Sequence, residues 1–213
     1  MFRLYFYIRK IVIRILLWII RMEFKKKTTM IGTGHSFYKG AAVTLHDGST
    51  KEDIILHDHS EVWGRVTSIN HGKIIFHDWA KLGTRSIIEA VNWVEIGEDC
   101  EISYDVVISD NNSHPINPVD RKYYHRTPHG SDERSHKHSI SAPIFIGDNV
   151  WIGQRARICK GVTIGNNAII AANSVVTHNV PANAIAAGNP AKIVRTDIDK
   201  TTTPIFPLSK ESK

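Results

Sequence analysis

The sequence predicts an all-β protein whose main body is a parallel β-helix, a prism built from short strands joined at tight turns. Three observations predict this fold class: aliphatic residues recur at every sixth position, a small or aliphatic residue follows each of them four positions later, and glycine often comes directly after the aliphatic residue. A strict period of six fits neither an α-helix nor a single alternating strand. It fits a unit of one strand and one turn, so that three units complete one triangular coil and each coil pairs its strands with the next.

The repeats are clearest between residues 144 and 176. The first series there comprises Ile146, Ile152, Ile158, Ile164, Ile170 and Val176, and its companion series comprises Val150, Ala156, Val162, Ala168 and Ser174. A second block carries Phe76, Leu82 and Ile88 and, after an eight-residue step, Ile96, Ile102 and Ile108, with Val94, Cys100 and Val106 as companions. We interpret the longer step as a two-residue insertion at a corner. Residues 30–70 keep the period poorly, and we expect irregular first coils there.

Residues 1–27 precede the repeats and predict a basic amphipathic helix. Arg3, Lys10, Arg14 and Arg21 are spaced so that they lie on one helical face, whereas the opposite face carries Phe2, Phe6, Ile13, Leu17, Trp18 and Ile20. The charges interrupt the segment too often for a typical membrane span, and a secretory signal would need an uninterrupted apolar core. The apolar face therefore binds either an anionic membrane surface or a neighbouring subunit. The sequence leaves both partners open, with a true span as a third interpretation.

Composition limits the classes of function. The net charge of +6 is concentrated before residue 28 and the rest of the chain is close to neutral, which argues against nucleic acid as a partner. Cys100 and Cys159 form no CxxC pair, and such isolated thiols indicate a reducing compartment. The 213 residues suffice for one sizeable domain, which we expect at residues 28–195, followed by a polar tail at residues 196–213.

The repeat stops between Ile108 and Ile144, where a long loop (residues 109–143) projects from the prism. Long loops on a rigid scaffold are commonly functional. This loop contains the five histidines His114, His125, His129, His136 and His138. The last four form either a solvated basic surface or a metal cluster, since imidazole is a common zinc ligand. His114 differs because it lies at the edge of a coil, where the scaffold can hold it rigidly as a general base near neutral pH.

Three segments together resemble the hexapeptide-repeat O-acetyltransferases, such as the galactoside, maltose and xenobiotic acetyltransferases and the polysaccharide O-acetyltransferases. They are the repeated IGxxxxIG pattern, the string DNNSHP at residues 110–115 and the string VVTHNVPANAIAAGNPAKIVR at residues 175–195. The resemblance implies a left-handed β-helix, a homotrimer, acetyl-CoA as co-substrate with no metal, and His114 as the catalytic base. The residues that it places beside coenzyme A are Gln154, Ala172, Thr177, His178, Lys192 and Arg195. Gln154, His178 and Lys192 depart from the commoner Ser, Lys and Arg at these positions.

These observations predict an acyltransferase that moves an acetyl group from acetyl-CoA to a hydroxyl of a sugar, with a capsule- or lipopolysaccharide-type acceptor. We expect it in the cytoplasm, peripheral on the inner face of the cell membrane, where lipid-linked saccharides lie. Alternative acceptors are an antibiotic, serine or an amino sugar. Two different functions compete with acyl transfer: a scaffolding prism without activity, and a zinc carbonic anhydrase that uses the coil histidines His57, His59, His71 and His77. Asp110 and Asn92 are candidates for the residue that orients His114.

Overall fold

The computed structural model describes residues 2–203, with side chains from Tyr7 onwards, and its main body is a three-sided prism of six coils. Each coil consists of three short strands. The first three coils comprise β1 (Thr29–Met30), β2 (Ser36–Phe37), β3 (Ala42–His46), β4 (Ile54–Leu56), β5 (Glu61–Val62), β6 (Arg65–Ile69), β7 (Lys73–Phe76), β8 (Lys81–Leu82) and β9 (Ile87–Ala90). The next three comprise β10 (Trp93–Ile96), β11 (Glu101–Ile102), β12 (Val107–Ser109), β13 (Ile144–Ile146), β14 (Trp151–Ile152), β15 (Arg157–Cys159), β16 (Thr163–Ile164), β17 (Ile169–Ile170) and β18 (Val175–Val176).

The strands of successive coils pair in parallel and form one sheet on each face of the prism. Face A contains β1, β4, β7, β10, β13 and β16, face B contains β2, β5, β8, β11, β14 and β17, and face C contains β3, β6, β9, β12, β15 and β18. We call the turns between successive faces corner A–B, corner B–C and corner C–A. The register keeps equivalent residues together, since Ile102 lies beside Leu82 on one side and Ile152 on the other. The predicted parallel β-helix is therefore confirmed.

The interior of the prism is filled by the two series that the six-residue period predicts. Phe76, Leu82, Ile88, Ile96, Ile102, Ile108, Val94, Cys100 and Val106 are all at most 1% exposed. The residues between them point outwards, as exposed Glu101 and Arg157 do, because successive side chains of a strand alternate. Burial raises the pKa of the Cys100 thiol to about 12, so this thiol is an inert part of the wall.

Residues 30–70 complete two coils, of which the first is irregular, as expected, because a 3₁₀ segment (Lys51–Asp53) between β3 and β4 interrupts the six-residue step from Val43 to Leu56. In the second coil, Leu56, Val62 and Ser68 keep the six-residue step, and all three are buried. The period is hidden in the sequence by inward-facing serines: Ser68 donates its hydroxyl to the Gly72 carbonyl at 2.6 Å, and Ser60 is equally buried. Hydrogen-bonded hydroxyls can occupy an apolar interior at little cost, but they do not look like core residues in a sequence.

The N-terminal helix α1 (Phe2–Lys27) covers the open end of the prism at the first coil. Leu16, Ile20 and Phe24 lie one helical turn apart and pack on the core, with Phe24 fully buried. The Phe24 ring stacks on Phe37 of β2 with 4.3 Å between ring centroids. The first coil has no preceding coil to cover it, so the helix supplies this apolar cover. The apolar residues of α1 therefore pack on the prism of the same chain, a partner that the sequence pattern did not indicate.

The remaining elements complete the described chain. After β18, the strand β19 (Ile185–Gly188) joins face B beside β17 and turns back as the antiparallel strand β20 (Ala191–Arg195). Of the predicted tail, residues 204–213 lie outside the described residues, as do the side chains of Phe2, Arg3 and Phe6 in the leader. Within residues 2–203, no helix combines the length and the apolarity needed to cross a membrane.

Candidate active site

The long loop leaves the prism after β12 and returns at β13, and its two ends are joined to each other. Asn111 and Ser141 form an antiparallel bridge. The N–H of Ala142 donates to the Asp110 carbonyl at 2.9 Å, and the N–H of Asn112 donates to the Ile140 carbonyl at 3.1 Å. The loop therefore begins from a closed base at corner C–A, and the residues just beyond that base are held by the scaffold.

Asp110 anchors this base and is completely buried. Its carboxylate accepts hydrogen bonds from the backbone N–H groups of Val91, Asn92 and Trp93 at 2.7 to 3.1 Å. Burial raises the pKa of the Asp110 carboxyl, while these N–H groups act in the opposite direction. Val91 and Asn92 are the predicted two-residue insertion, so the carboxylate fixes the corner beneath the loop. Among the described residues no hydrogen bond joins Asp110 or Asn92 to His114.

His114 stands three residues beyond Asn111, on a tight turn. The Asn111 side-chain oxygen accepts from the Ser113 N–H at 2.8 Å, and Ser113 adopts the left-handed conformation with φ of 61°. The His114 ring is exposed in the single chain and meets the ring of Tyr124 edge-on, with 4.8 Å between centroids. The buried Tyr124 donates its hydroxyl to the Arg134 carbonyl at 3.0 Å, so the partner of the imidazole is itself held in place.

An open cleft of about 600 Å³ lies at corner C–A around His114. Thr177, at the end of β18, lines the same cleft, as do three cations: Arg121, Arg157 and Lys160. The sequence pattern did not single out these cations. Arg157 had a detectable signal, because it is the outward-facing residue of β15 in the first coil after the loop. The cleft thus combines an exposed imidazole with a positive wall.

The loop has more regular structure than its sequence suggested. Helix α2 (Pro118–Arg126) begins at Asn117, whose side chain accepts from the Val119 N–H. Asn at the cap followed by Pro in the first turn is a recognisable helix start, and this signal was missed. Two single-turn 3₁₀ segments, Asp132–Arg134 and His136–His138, follow. The loop therefore packs as a structured strap along the prism.

The other loop histidines serve different contacts. His136 Nδ1 lies 3.2 Å from a carboxylate oxygen of the half-buried Glu89 on β9; this pairing raises the pKa of His136 and lowers the pKa of Glu89. His138 contacts the Asp132 carbonyl at 3.1 Å. In the part of the chain that the structure describes, no group of three or more His, Cys, Asp or Glu side chains is placed to hold a metal ion.

The four coil histidines of the anhydrase hypothesis do not converge. The His57 and His77 rings stack at corner A–B with 5.3 Å between centroids, and His59 stacks on Trp79 at the same corner. His71 lies at corner C–A, 3.1 Å from Asp53. Within one chain, these four histidines therefore do not form a single cluster.

The six residues predicted to contact coenzyme A fall into three places. Gln154 and Ala172 are stacked at corner B–C, where the Asn173 N–H donates to the Gln154 carbonyl at 2.9 Å. Between them, a Cβ on Gly153 would come within 2.6 Å of the Ala172 nitrogen, so the close stacking requires glycine.

Thr177 and His178 lie at corner C–A, with Thr177 Oγ1 3.0 Å from His178 Nδ1. Lys192 and Arg195 lie on β20 at the edge of face B, and Arg195 donates to the Thr201 carbonyl at 3.1 Å within the short helix α3 (Ile198–Thr201). Only Thr177 of the six lines the His114 cleft in a single chain. The predicted set is therefore divided between two corners and an edge strand.

Comparison with known proteins gives matches to acyltransferases. The family described as bacterial transferase hexapeptide (six repeats) matches residues 143–178. WbbJ of Escherichia coli (strain K12), whose name assigns it to lipopolysaccharide biosynthesis as an O-acetyl transferase, is 32% identical over 131 residues, covering 62% of this chain and 64% of WbbJ. The galactoside O-acetyltransferase of the same strain is 48% identical over 62 residues, covering 29% of this chain and 30% of that protein. The matches span less than two thirds of either relative.

A solved structure shares the architecture. A variant of AntD, an N-acyltransferase from Bacillus cereus in complex with dTDP and coenzyme A, superimposes with a TM-score of 0.61 at 14% identity, covering 81% of this chain and 85% of AntD. The fold is the left-handed parallel β-helix, as the resemblance implied.

Proposed function

We propose that this hexapeptide-repeat protein is an acetyl-CoA-dependent O-acetyltransferase that acts on a sugar hydroxyl of a capsule- or lipopolysaccharide-type saccharide. The observation that carries the proposal is the cleft at corner C–A, where His114 stands beside Thr177 and a positive wall. The names of the matching relatives, both O-acetyl transferases and one of lipopolysaccharide biosynthesis, support the reaction class and the class of acceptor.

The chemistry needs one group that accepts a proton. His114 takes the proton from the acceptor hydroxyl as its oxygen attacks the thioester carbonyl. The tetrahedral intermediate then expels the coenzyme thiolate, which regains a proton from the imidazolium, and the acetyl ester remains on the sugar. The thioester is already activated, so no covalent enzyme intermediate is required. Tyr124, packed edge-on against the ring, holds the imidazole in the position for this transfer.

The active enzyme is a homotrimer whose sites lie between chains. His114 and Thr177 lie at corner C–A, whereas Gln154 and Ala172 lie at corner B–C of the same chain. If corner B–C of one prism faces corner C–A of the next, the divided set is reunited in one groove. Lys192 and Arg195 on β20 and His178 are then available to the coenzyme phosphates, because guanidinium and ammonium groups bind phosphate well. AntD, a protein of the same fold, was solved with coenzyme A.

Helix α1 attaches the enzyme peripherally to the inner face of the cell membrane. Its outward face carries an apolar stripe that the prism does not cover: Ile8, Ile11, Val12, Ile15, Trp18, Ile19 and Met22, each at least 40% exposed. Arg14 and Arg21 flank this stripe on the neighbouring side of the helix. An exposed apolar stripe flanked by cations fits an anionic membrane surface, where saccharides linked to lipid are presented.

The proposal is tested by thiol release from acetyl-CoA across a panel of saccharides, with amino sugars, serine and antibiotics included. We expect ester formation on a saccharide. His114→Ala should lower turnover at least about 100-fold, because general-base catalysis contributes that much, while coenzyme A binding is kept. His129→Ala is the matched control, since this loop histidine is not part of the cleft lining. Full turnover in the His114 variant would sink the proposal.

A further inference from the structure

A second cavity, of about 490 Å³, lies on the opposite end of the prism from the hairpin of β19 and β20, between the C-terminal turns of α1 and the first coil. Its cationic wall is formed by Arg21 and Lys25 from the helix and by Lys51 from the turn that precedes β4. The remaining lining consists of three threonines, two glycines, Met30 and His35, with no carboxylate among them. The three lining cations outnumber the Asp58 carboxylate that is bonded to the turn behind the lining, so the cavity carries net positive charge, which favours an anion.

The prism side of this cavity is built from a glycine-containing turn, Gly32-Thr33-Gly34. Gly32 and Gly34 have φ of 79° and 71°, so φ changes sign along the turn and brings bare backbone to the surface of the cavity. The turn is fixed because Asp58 accepts from the Thr33 N–H at 2.5 Å, and a side chain at Gly32 would collide with Asp58. The cavity therefore has a rigid floor of backbone beneath its cations.

His35 lies in the wall and is 6% exposed. Its Nδ1 is 3.3 Å from the Ser60 hydroxyl, whereas its Nε2 has no hydrogen-bond partner among the described residues. Burial, together with the charge of Arg21, lowers the pKa of His35; Asp58 and the Ile31 carbonyl act in the opposite direction, although that carbonyl makes no hydrogen bond to Nε2. The Ser60 hydroxyl donates to the His57 carbonyl, so His35 Nδ1 donates to Ser60 and Nε2 of the neutral ring is an acceptor, which suits a water in the wall of the cavity and not the anion itself.

The position of the cavity indicates the source of the anion. Arg21 is three residues from Trp18, and Lys25 is three residues from Met22, so each cation is a surface neighbour of a residue in the exposed apolar stripe. A ligand with a phosphate in the cavity could extend an apolar chain along that stripe. Soluble phosphates would use the cations and leave the stripe unoccupied.

We propose that this cavity binds the phosphate monoester of a membrane lipid, with Arg21, Lys25 and Lys51 as its charged partners and Gly32-Thr33-Gly34 as its floor. The inference rests on the membrane contact of α1 proposed above and not on catalysis. Ammonium and guanidinium groups form charge-assisted hydrogen bonds with phosphate oxygens, and these bonds are among the strong ones. The site would orient the prism on the membrane, since Lys51 belongs to the prism and not to the helix.

The test compares binding of the full chain to two kinds of phosphatidylcholine vesicle at matched surface potential. One kind contains phosphatidic acid, with an accessible phosphate monoester, and the other contains phosphatidylglycerol. We expect the protein to prefer phosphatidic acid on the order of tenfold. Lys51→Gln should remove most of this preference. The matched control Lys26→Gln removes an exposed helix charge outside the cavity, so it should weaken binding to both vesicles up to about fivefold and keep the preference.

The outcomes separate the two proposals. Equal binding to both anionic lipids would overturn the phosphate site and leave the membrane contact standing. Failure to bind any vesicle would overturn both the phosphate site and the membrane contact. The proposal of acetyl transfer would stand, because it is tested by a separate assay. A third arm measures binding of inorganic phosphate alone. If inorganic phosphate fills the site in a way that depends on Lys51, and vesicles bind no more tightly than free phosphate does, the site is one for soluble phosphate and the lipid assignment is overturned.

Discussion

Buried carboxylates hold corners of this prism, and Asp110 is the one beneath the long loop that carries His114. Because its oxygens accept from three consecutive N–H groups, an amide in its place would present NH₂ to at least one of those donors. We expect Asp110→Asn to lower the free energy of unfolding by about 1–3 kcal/mol, the cost of a buried unsatisfied group. Denaturant unfolding of the full chain measures it.

The control for this change is Asp99→Asn. Asp99 is an exposed corner residue with φ of 57°, a conformation that Asn adopts as readily as Asp, so its replacement should leave stability unchanged. If both variants unfold at the same denaturant concentration as the parent, the carboxylate does not fix the corner.

Asp110 also shows what sequence alone could not supply. Its proximity to His114 along the chain suggested a role in orienting the ring, but its partners are backbone amides of the preceding coil, which carry no signature in a sequence. The same limit applies to Tyr124, which reaches His114 only because α2 folds back over the cleft. His114 itself was identifiable because a coil edge and a sequence motif coincide there; its catalytic role stays a prediction.

At the scale of elements, the loop is fastened to face C as a strap. His136 pairs with Glu89, which also accepts from the Asn111 amide at 3.2 Å, and Ser135 bonds to Asp47. The regular coils were predictable from period six because burial demands apolar residues in fixed order. The strap was not, because its contacts join polar side chains that are 47 and 88 residues apart.

The strap should be sensitive to pH through this ion pair. The pairing raises the pKa of His136. The stability that the protonated imidazole adds to the strap is therefore complete below the ordinary pKa of histidine, and it is lost as pH rises through the raised pKa. The same pairing lowers the pKa of Glu89. The stability that the ionised carboxylate adds is therefore complete above the ordinary pKa of glutamate, and it is lost as pH falls through the lowered pKa. We expect the strap to be most protected between those two ordinary values and to open at alkaline pH.

Hydrogen exchange of residues 110–143 as a function of pH measures this opening. His136→Gln should expose the strap at mildly acidic pH and flatten the pH dependence. His138→Gln is the control, because the hydrogen bond and ion pair that His138 makes with other described residues both go to Asp132 within the strap. An unchanged exchange profile in the His136 variant would contradict a fastening role for the pair.

For the whole molecule, α1 is the element that presents an apolar surface on two sides. One face of the helix closes the prism with Phe24, and the other presents Trp18, which is 63% exposed. Mutations on the two faces should therefore have separate effects, one on stability and the other on membrane binding. Phe24→Ala should lower the free energy of unfolding by about 3–5 kcal/mol, because it leaves a cavity at the end of the core. Trp18→Ala should leave stability within about 0.5 kcal/mol and weaken binding to anionic vesicles on the order of tenfold or more.

Denaturant unfolding and vesicle sedimentation, run on both variants, give the two readouts. The informative result is that each variant changes one readout and keeps the other. Trp18→Ala must lose membrane binding and unfold like the parent. Phe24→Ala must lose stability, while the protein that is still folded continues to sediment with vesicles. If Trp18→Ala sediments as the parent does, the outward stripe does not enter lipid. In that case the exposed residues of α1 have another partner, and a neighbouring chain of the proposed trimer becomes the surface to test.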